Sequence, residues 1–582
     1  MTDGEHNTAI GYNSLSASQG ADYNTILGSN AAAQLTTGDR NVAVGYKALN
    51  SETDQGYAVA IGYEALENQN ASSNTYNVAV GYQAGNAVTT GVRNILIGGL
   101  AGDALTTGGN NIAIGHEALT TEDGHGLNIA IGTNALQNLN AGADAGNIAI
   151  GISAGAQMTT GRYNNILGTY AGDALTTGWS NVAIGYLALS TENTGSDAIA
   201  IGRSALQNQD YNGSSYNVAI GRDAGKEVTT GIQNTLIGGL AGDALTTGNY
   251  NVAIGYTALG AEDNDGRNVA VGYAALATQN AGTAAYNVAI GFETGLNITT
   301  GIQNTIVGGL AGDALTTGAG NTALGYGALS VEQAGGRNVA IGWKALVNQN
   351  TGIDSYNVAV GYEAGEFITT GSQNTLIGGL AGDAITTGAS NVVIGYDAAD
   401  VLLDGAENTL IGNQVAGALT SGDENTYIGR RAASSATTGN NNVAIGAGVS
   451  LSSATVSNEA NISNGSVTAR FQGAAAAWSF VSDARDKKDI EDLELGIEFI
   501  NKLKPRKFKW NLRDSDVDKN KEASGFVAQE IQEILDETGV DYTSIVDTNN
   551  PDQYTVAQAN IIPMLVKAVQ ELSAEVKMLK NK

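Results

Sequence analysis

The chain has 582 residues, 42% of them hydrophobic, with 79 glycines, 3 prolines, no cysteine and 3 histidines. Much glycine with almost no proline excludes collagen and proline-rich disorder. The missing cysteines exclude disulfides and thiolate metal sites, and so few histidines exclude a histidine-rich one. The net charge of −29 disfavours a nucleic-acid partner, which needs a basic surface. No cofactor and no metal are expected. No apolar run approaches the ~20 residues that span a bilayer, so membrane insertion is not expected. The opening Met1-Thr2-Asp3-Gly4-Glu5 lacks the basic and apolar regions of a signal peptide.

From Asn7 onward a pentad of the form Asn-Val-Ala-Ile-Gly recurs. Its glycines fall at 11, 28, 45, 62 and 81, and so on to 446, with spacings of 17, 17, 17 and 19 that sum to 70. After Gly361 the spacing stays at 17. The segment Ala101-Gly-Asp-Ala-Leu-Thr-Thr-Gly108 returns at 171, 241 and 311 and, with one Ile, at 381. Such a unit is too short for paired-helix repeats or propeller blades, and its glycines and β-branched residues oppose helix. It fits one turn of a parallel β-solenoid. Twenty-six rungs at ~4.8 Å give a rod of about 125 Å.

Within a pentad the residues alternate in facing. Val42, Val44 and Tyr46 are expected to point into the coil, with Ala43 and Gly45 on a small face suited to close backbone approach. That small face and the rod ends would stay exposed in one chain, and trimerisation would cover them. Asn stands four residues before the glycine in 24 of 26 rungs, with Ala58 and Ala198 as exceptions. Stacked Asn predicts an amide ladder along one corner. Thr-Thr-Gly at 36–38, 89–91, 106–108 and 159–161 marks a second turn. Tyr46, Tyr63, Tyr82, Tyr186, Tyr256 and Tyr273 form a column, with His116, Phe292 and Trp343 substituting in it. This is a candidate carbohydrate-stacking stripe, although its parity favours core packing.

The pentad followed by an aromatic residue and Ala-Leu, as in Asn181-Val-Ala-Ile-Gly-Tyr-Leu-Ala-Leu189, resembles the head repeats of trimeric autotransporter adhesins over about residues 7–450. The resemblance implies left-handed parallel β-rolls assembled as trimers.

All three prolines lie in the last 100 residues, which carry a net charge of −5 against −24 for the rest. Three segments are expected: a repetitive β-solenoid over 1–450, a β connector over 451–482, and a small α+β domain over 483–582. The last holds Ser482-Asp-Ala-Arg-Asp-Lys-Lys-Asp-Ile490 at its entrance, then Phe499-Ile-Asn-Lys-Leu-Lys-Pro-Arg-Lys-Phe-Lys-Trp510, Gly525-Phe-Val-Ala-Gln-Glu530 and a helix from Pro563. This order resembles the C-terminal intramolecular chaperones of phage tailspikes, tail fibres and endosialidases. The resemblance implies that the domain trimerises and aligns three chains. It also implies that it cuts itself off between Ser482 and Asp483, with Ser482 as nucleophile, Lys487 as base, and Asp483 and Arg485 completing the motif. A serine needs a base, and a lysine serves when burial or cationic neighbours lower its pKa. Arg485 and Lys488 are such neighbours, whereas Asp486 would oppose them. Ile531-Gln-Glu-Ile-Leu535 predicts a short helix. Ile562, Leu565, Val569, Leu572, Val576 and Leu579 form a heptad seam, for packing on the domain or for a trimeric coil.

The reading is a viral tail fibre in the virion: a homotrimeric rod that joins other tail proteins and binds a host surface receptor, with self-cleavage as its one enzymatic step. A depolymerase tailspike and a bacterial surface adhesin with the same chaperone are the alternatives. Asp103, Asp173, Asp243, Asp313 and Asp383 head the same loop in successive units and read as turn formers. An ice-binding face is disfavoured because adjacent threonines point to opposite faces. Receptor contacts are expected where the 19-residue rungs project longer loops, as in Asn70-Ala-Ser-Ser-Asn-Thr-Tyr76 and Asp210-Tyr-Asn-Gly-Ser-Ser-Tyr216.

Overall fold

The computed structural model describes residues 4–264, 266–464, 468–472, 479–480, 487–509, 522–540, 544–548 and 554–582. The chain forms two compact units, Met1–Phe480 and Val481–Lys582. The first is mostly β. Twenty-six three-residue strands run from β1, Thr8–Ile10, to β26, Val443–Ile445. Each pairs in parallel with the next, one repeat further on, as in Val42↔Val59, Ala43↔Ala60 and Val44↔Ile61. β27, Glu459–Ser463, continues the parallel stack, and β28, Thr468–Gln472, turns back antiparallel upon it. The array is thus a parallel β-solenoid of 17- and 19-residue rungs.

The facing is the reverse of the expected one. The central strand residue, Ala43 and its counterparts from Ile26 to Ala444, is fully buried. Val42 and Val44 flank it as half-buried residues on the outer face, and Tyr46 is 40% exposed. The reason is the width of the coil. The turn beyond the strand sends its own Leu49 or Leu66 back inside, which leaves room for only a small central residue. The glycine part of the expectation holds. Gly45 has φ +138°, and a Cβ there would lie 2.1 Å from the Gly62 carbonyl oxygen in the next rung.

Volume complementarity explains the 70-residue period. Where the strand centre is Ala43 or Ala60, the facing left-handed turn position is Leu49 or Leu66. Where the centre is Leu96, that position is Gly102. A Cβ on Gly102 would lie 2.8 Å from Leu96 Cδ2, and one on Gly85 in the rung before would lie 2.5 Å from Leu96 Cδ1. The large central residues that recur every 70 residues, Leu96, Ile166, Leu236, Ile306 and Leu376, are each matched by glycines opposite, whereas Ile26, Leu410 and Tyr427 face alanine at their own turn position.

The Asn corner forms as expected, with a further element. Asn24 Oδ1 accepts the backbone N–H of Asn41 at 2.8 Å, while Asn24 Nδ2 donates to the Gly38 carbonyl at 3.0 Å. Direct amide-to-amide bonds join Asn391, Asn408, Asn425 and Asn442, each at 3.1 Å. Ala58 accepts no such role: its N–H donates to Asn41 Oδ1 at 2.9 Å, but it has no side-chain oxygen to pass on. The first Thr of Thr-Thr-Gly closes the second corner, as Thr36 Oγ1 donates to the Thr53 carbonyl at 3.0 Å.

The second unit is a small α+β domain. Its core holds Leu495, Phe499, Ile531, Ile534, Leu535, Ile545, Ile561 and Met564. Helix α1 is Ile497–Lys502, α2 is Ala528–Thr538 and α3 is Ile562–Lys580, with Pro563 in its first turn. Glu571 on α3 accepts the Ile497 N–H at 2.7 Å and so caps the start of α1.

The complementarity makes a testable claim. Leu96→Ala should cost about 2–5 kcal/mol through the cavity it leaves. Adding Gly102→Leu recreates the native Ala130, Leu136 and Leu139 set, with the turn position already left-handed at φ +56°. The double variant should regain part of the loss in thermal unfolding, whereas Gly102→Leu alone should destabilise.

Candidate functional site

The projecting loops stand on buried acids. Glu52, Glu122, Glu192, Glu262 and Glu332 are fully buried. They occupy the interior position held by Leu35, Val88 or Leu105 in other rungs. Glu52 Oε1 accepts the N–H groups of Thr53 and Gln55, both at 3.1 Å. Its Oε2 accepts Gln69 Nε2 at 3.1 Å. Gln69 in turn donates to Thr75 Oγ1 at 3.1 Å and accepts from Asn77 Nδ2 at 2.8 Å. The network spans both feet of the loop at 70–75. It repeats through Glu192, Gln209, Ser215 and Asn217, and through Glu332, Gln349, Ser355 and Asn357.

Burial pushes the Glu52 and Glu192 carboxyls up. At Glu332 burial acts the same way, but the donors of Thr351, Gly335 and Gln349 together bring the carboxyl below its ordinary value. The loop tips are exposed, including Ser72, Ser73 and Asn74, and Ile353 at 69%. Loop length alone flagged these loops in the sequence. Their anchors went unnoticed, although an acid recurring every 70 residues at an apolar position was a readable signal.

The aromatic column is a surface feature, not core, because it shares the outward face of the strands. Its six tyrosines are 40–54% exposed. Tyr46, Tyr63 and Tyr82 stack with ring centroids 5.2 and 5.4 Å apart. Tyr256, Tyr273 and Phe292 stack at 5.8 and 5.3 Å, and Trp343 stacks on Tyr362 at 5.1 Å. A second column on the other side of the strands includes Tyr57 and Tyr76 at 5.1 Å. Outward Val and Ile side chains lie between the columns, interrupted by outward Thr at strands such as Thr235–Ile237 and Thr305–Val307, so one face of the solenoid is largely apolar.

The recurrent aspartates are half-buried, and burial pushes all five upward, Asp383 to about 6 with help from Asp400 and Asp397. Successive members stand four rungs apart, roughly 19 Å, which exceeds the ~5–9.5 Å between a glycosidase's two carboxylates. The column itself is therefore no acid–base pair.

Of the self-cleavage residues, Ser482, Asp483 and Arg485 lie outside the described residues. Lys487 is described and exposed. The strand Arg506–Lys509 and helix α2 are tied by Arg506, which donates from Nε to Glu530 at 3.0 Å and holds its carboxyl below the ordinary value. Helix α3 packs through Met564 and Ala568. Its heptad residues face away from the domain core, all between 40% and 69% exposed. Among the described residues no helix is long and apolar enough to cross a membrane.

Residues 482–540 match the Peptidase_S74 family model, chaperone of endosialidase. The match begins at the serine of the cleavage motif. No curated protein and no solved structure matches the chain. A parallel β-solenoid followed by an endosialidase-type chaperone region fits a trimeric rod of the tail-fibre or tailspike kind.

Burial of Asp383 yields a pH test. A folded-state pKa above the unfolded one, ordinarily near 3.9, means that stability is full below about 4 and falls as pH rises through about 6. Asp383→Asn removes that loss. Its melting temperature should exceed wild type by a margin that grows between pH 4 and pH 7 and then levels. An equal margin at both ends would refute the assignment.

Proposed function

We propose that the protein is a viral tail fibre: a homotrimeric rod in the virion that attaches to a host surface receptor. Its C-terminal domain aligns the three chains and then releases itself between Ser482 and Asp483. The observation that carries the reading is exposed apolar surface in both units. The strip of outward Val, Ile and stacked tyrosines runs along the solenoid, and the heptad seam runs along α3. Surfaces of this extent mark association. A heptad seam left open in one chain is what a parallel coil of identical chains would close.

Within the trimer the acid-anchored loops are the natural receptor contacts. They project from a rigid scaffold, differ from one unit to the next and are held at both feet, so binding a receptor orders little new backbone. The receptor class that suits exposed tyrosines and small polar tips is a glycan or a surface protein. A lysine acts as a base only when desolvated or set beside other cations. Lys487 is exposed in the single chain. Cleavage therefore follows assembly, which supplies the burial.

Two measurements test this. Intact mass of the full-length protein beside Ser482→Ala should give a fragment ending at Ser482 and a 100-residue partner from wild type only. Native mass should report a trimer for both. Leu565→Lys with Leu572→Lys, at positions 48% and 49% exposed in one chain, should leave the domain folded yet abolish trimers and cleavage together. Cleavage by a monomeric double variant would sever the proposed link.

A further inference from the structure

Five copies of one loop allow an internal comparison. Each carries the buried glutamate, and in four of them a glutamine one rung on donates to its Oε2. Gln69, Gln209, Gln279 and Gln349 do so at 3.1, 2.9, 3.3 and 3.1 Å. The second copy departs at two positions together. Leu139 replaces the glutamine, so the described residues leave Glu122 Oε2 with only the Ala141 N–H at 3.3 Å. His125 stands where the other copies have Gln55, Gly195, Asp265 and Gly335. Asp123 lies two residues before it, as Asp263 does in the fourth copy, where the others have Thr53, Asn193 and Gln333.

The substituted side chains converge. One ligand atom each from Glu122, Asp123 and His125 lie within 4.8 Å of one another. His125 Nδ1 is 3.3 Å from Glu122 Oε1. That nitrogen is buried and has no hydrogen-bond partner. The His125 backbone N–H donates to the same Oε1 at 3.1 Å, so the turn holds the ring over the carboxylate. Glu122 is fully buried, whereas Asp123 is exposed. An amide donor has been removed from a buried carboxylate, and an imidazole nitrogen has been added between it and an exposed aspartate. A cation would replace the lost donor.

We infer that Glu122, Asp123 and His125 form a divalent transition-metal site, one per chain, at the foot of the loop spanning 140–146. One imidazole nitrogen and two carboxylate oxygens suit Zn²⁺ better than Ca²⁺ or Mg²⁺, which take oxygen alone. Ligand bonds of about 2.0–2.2 Å require the three atoms to close in. The metal takes over the anchoring that Gln69 or Gln209 performs in the other units.

The test uses the full chain after chelator treatment, titrated with zinc sulfate and followed by calorimetry and thermal unfolding. The expected result is one saturable site per chain and a raised melting temperature. His125→Gln, which recreates the residue at Gln55, should weaken binding at least tenfold without unfolding the rod. Leu139→Gln should restore the donor to Glu122 and weaken zinc binding while raising the metal-free melting temperature. His116→Gln, which alters a histidine 3.9 Å from the neighbouring Glu117, should bind as wild type does. No saturable binding by wild type, or unchanged affinity in His125→Gln, would overturn the inference and leave a plain histidine–glutamate contact.

Discussion

The narrowness of the coil governs this molecule. A turn of 17 residues encloses so little space that glycine must stack on glycine backbone and the strand centre is mostly alanine. Large side chains enter from one wall where small residues face them from the other, glycine for Leu96 with Gly85 and Gly102, and alanine for Tyr427 with Ala416 and Ala433. The branched residues that give the strands their β preference are consequently turned outward. An interior too small for its own apolar residues leaves them on the surface. Exposed apolar surface of that kind marks association, and the proposed trimer with its aligning domain would meet it.

Near-identical rungs create a second difficulty. Each rung contacts only its neighbours, so stacking energy is nearly the same for many mispairings. Slipping one chain past another, or a rung past its neighbour, would preserve most Asn and glycine contacts. The 70-residue pattern opposes this. A slip of one rung would set Glu52 against an apolar position and strand its carboxylate without Gln69, and a buried charge without its donors is strongly destabilising. The acids therefore serve register as well as loop anchoring. A chaperone that starts three chains together at one end acts on the same problem from outside the array.

Much of this was legible in the sequence, because period and corner chemistry are local. The 17-17-17-19 spacing, the Asn corner and the strand-end glycines are each visible in a single rung and reappear in the fold. Facing was misread, since alternation says which residues share a side but not which side is inside. That choice depends on Leu49 and Leu66, which sit at left-handed φ of 54° and 51° and reach the core from a turn. Leucine at such a backbone position has no sequence signature. The tyrosine column followed the same error. The buried glutamates were missed because an acid in a polar-looking loop normally reads as solvated. The second unit was legible through ordered motifs, and α2 lies over the predicted Ile531–Leu535 helix.

The exposed seam of α3 follows from the way the helix is held. Helix α3 spends Met564 and Ala568 on its own domain and Glu571 on capping α1, which fixes its rotation. Turning it to bury the heptad residues internally would break both contacts. Among the described residues the seam therefore stays open to solvent, the state that the proposed coil of identical helices would close. A cleavage reaction that depends on assembly would fire only when three rods are aligned, so the domain would be released after its alignment work is complete and not before.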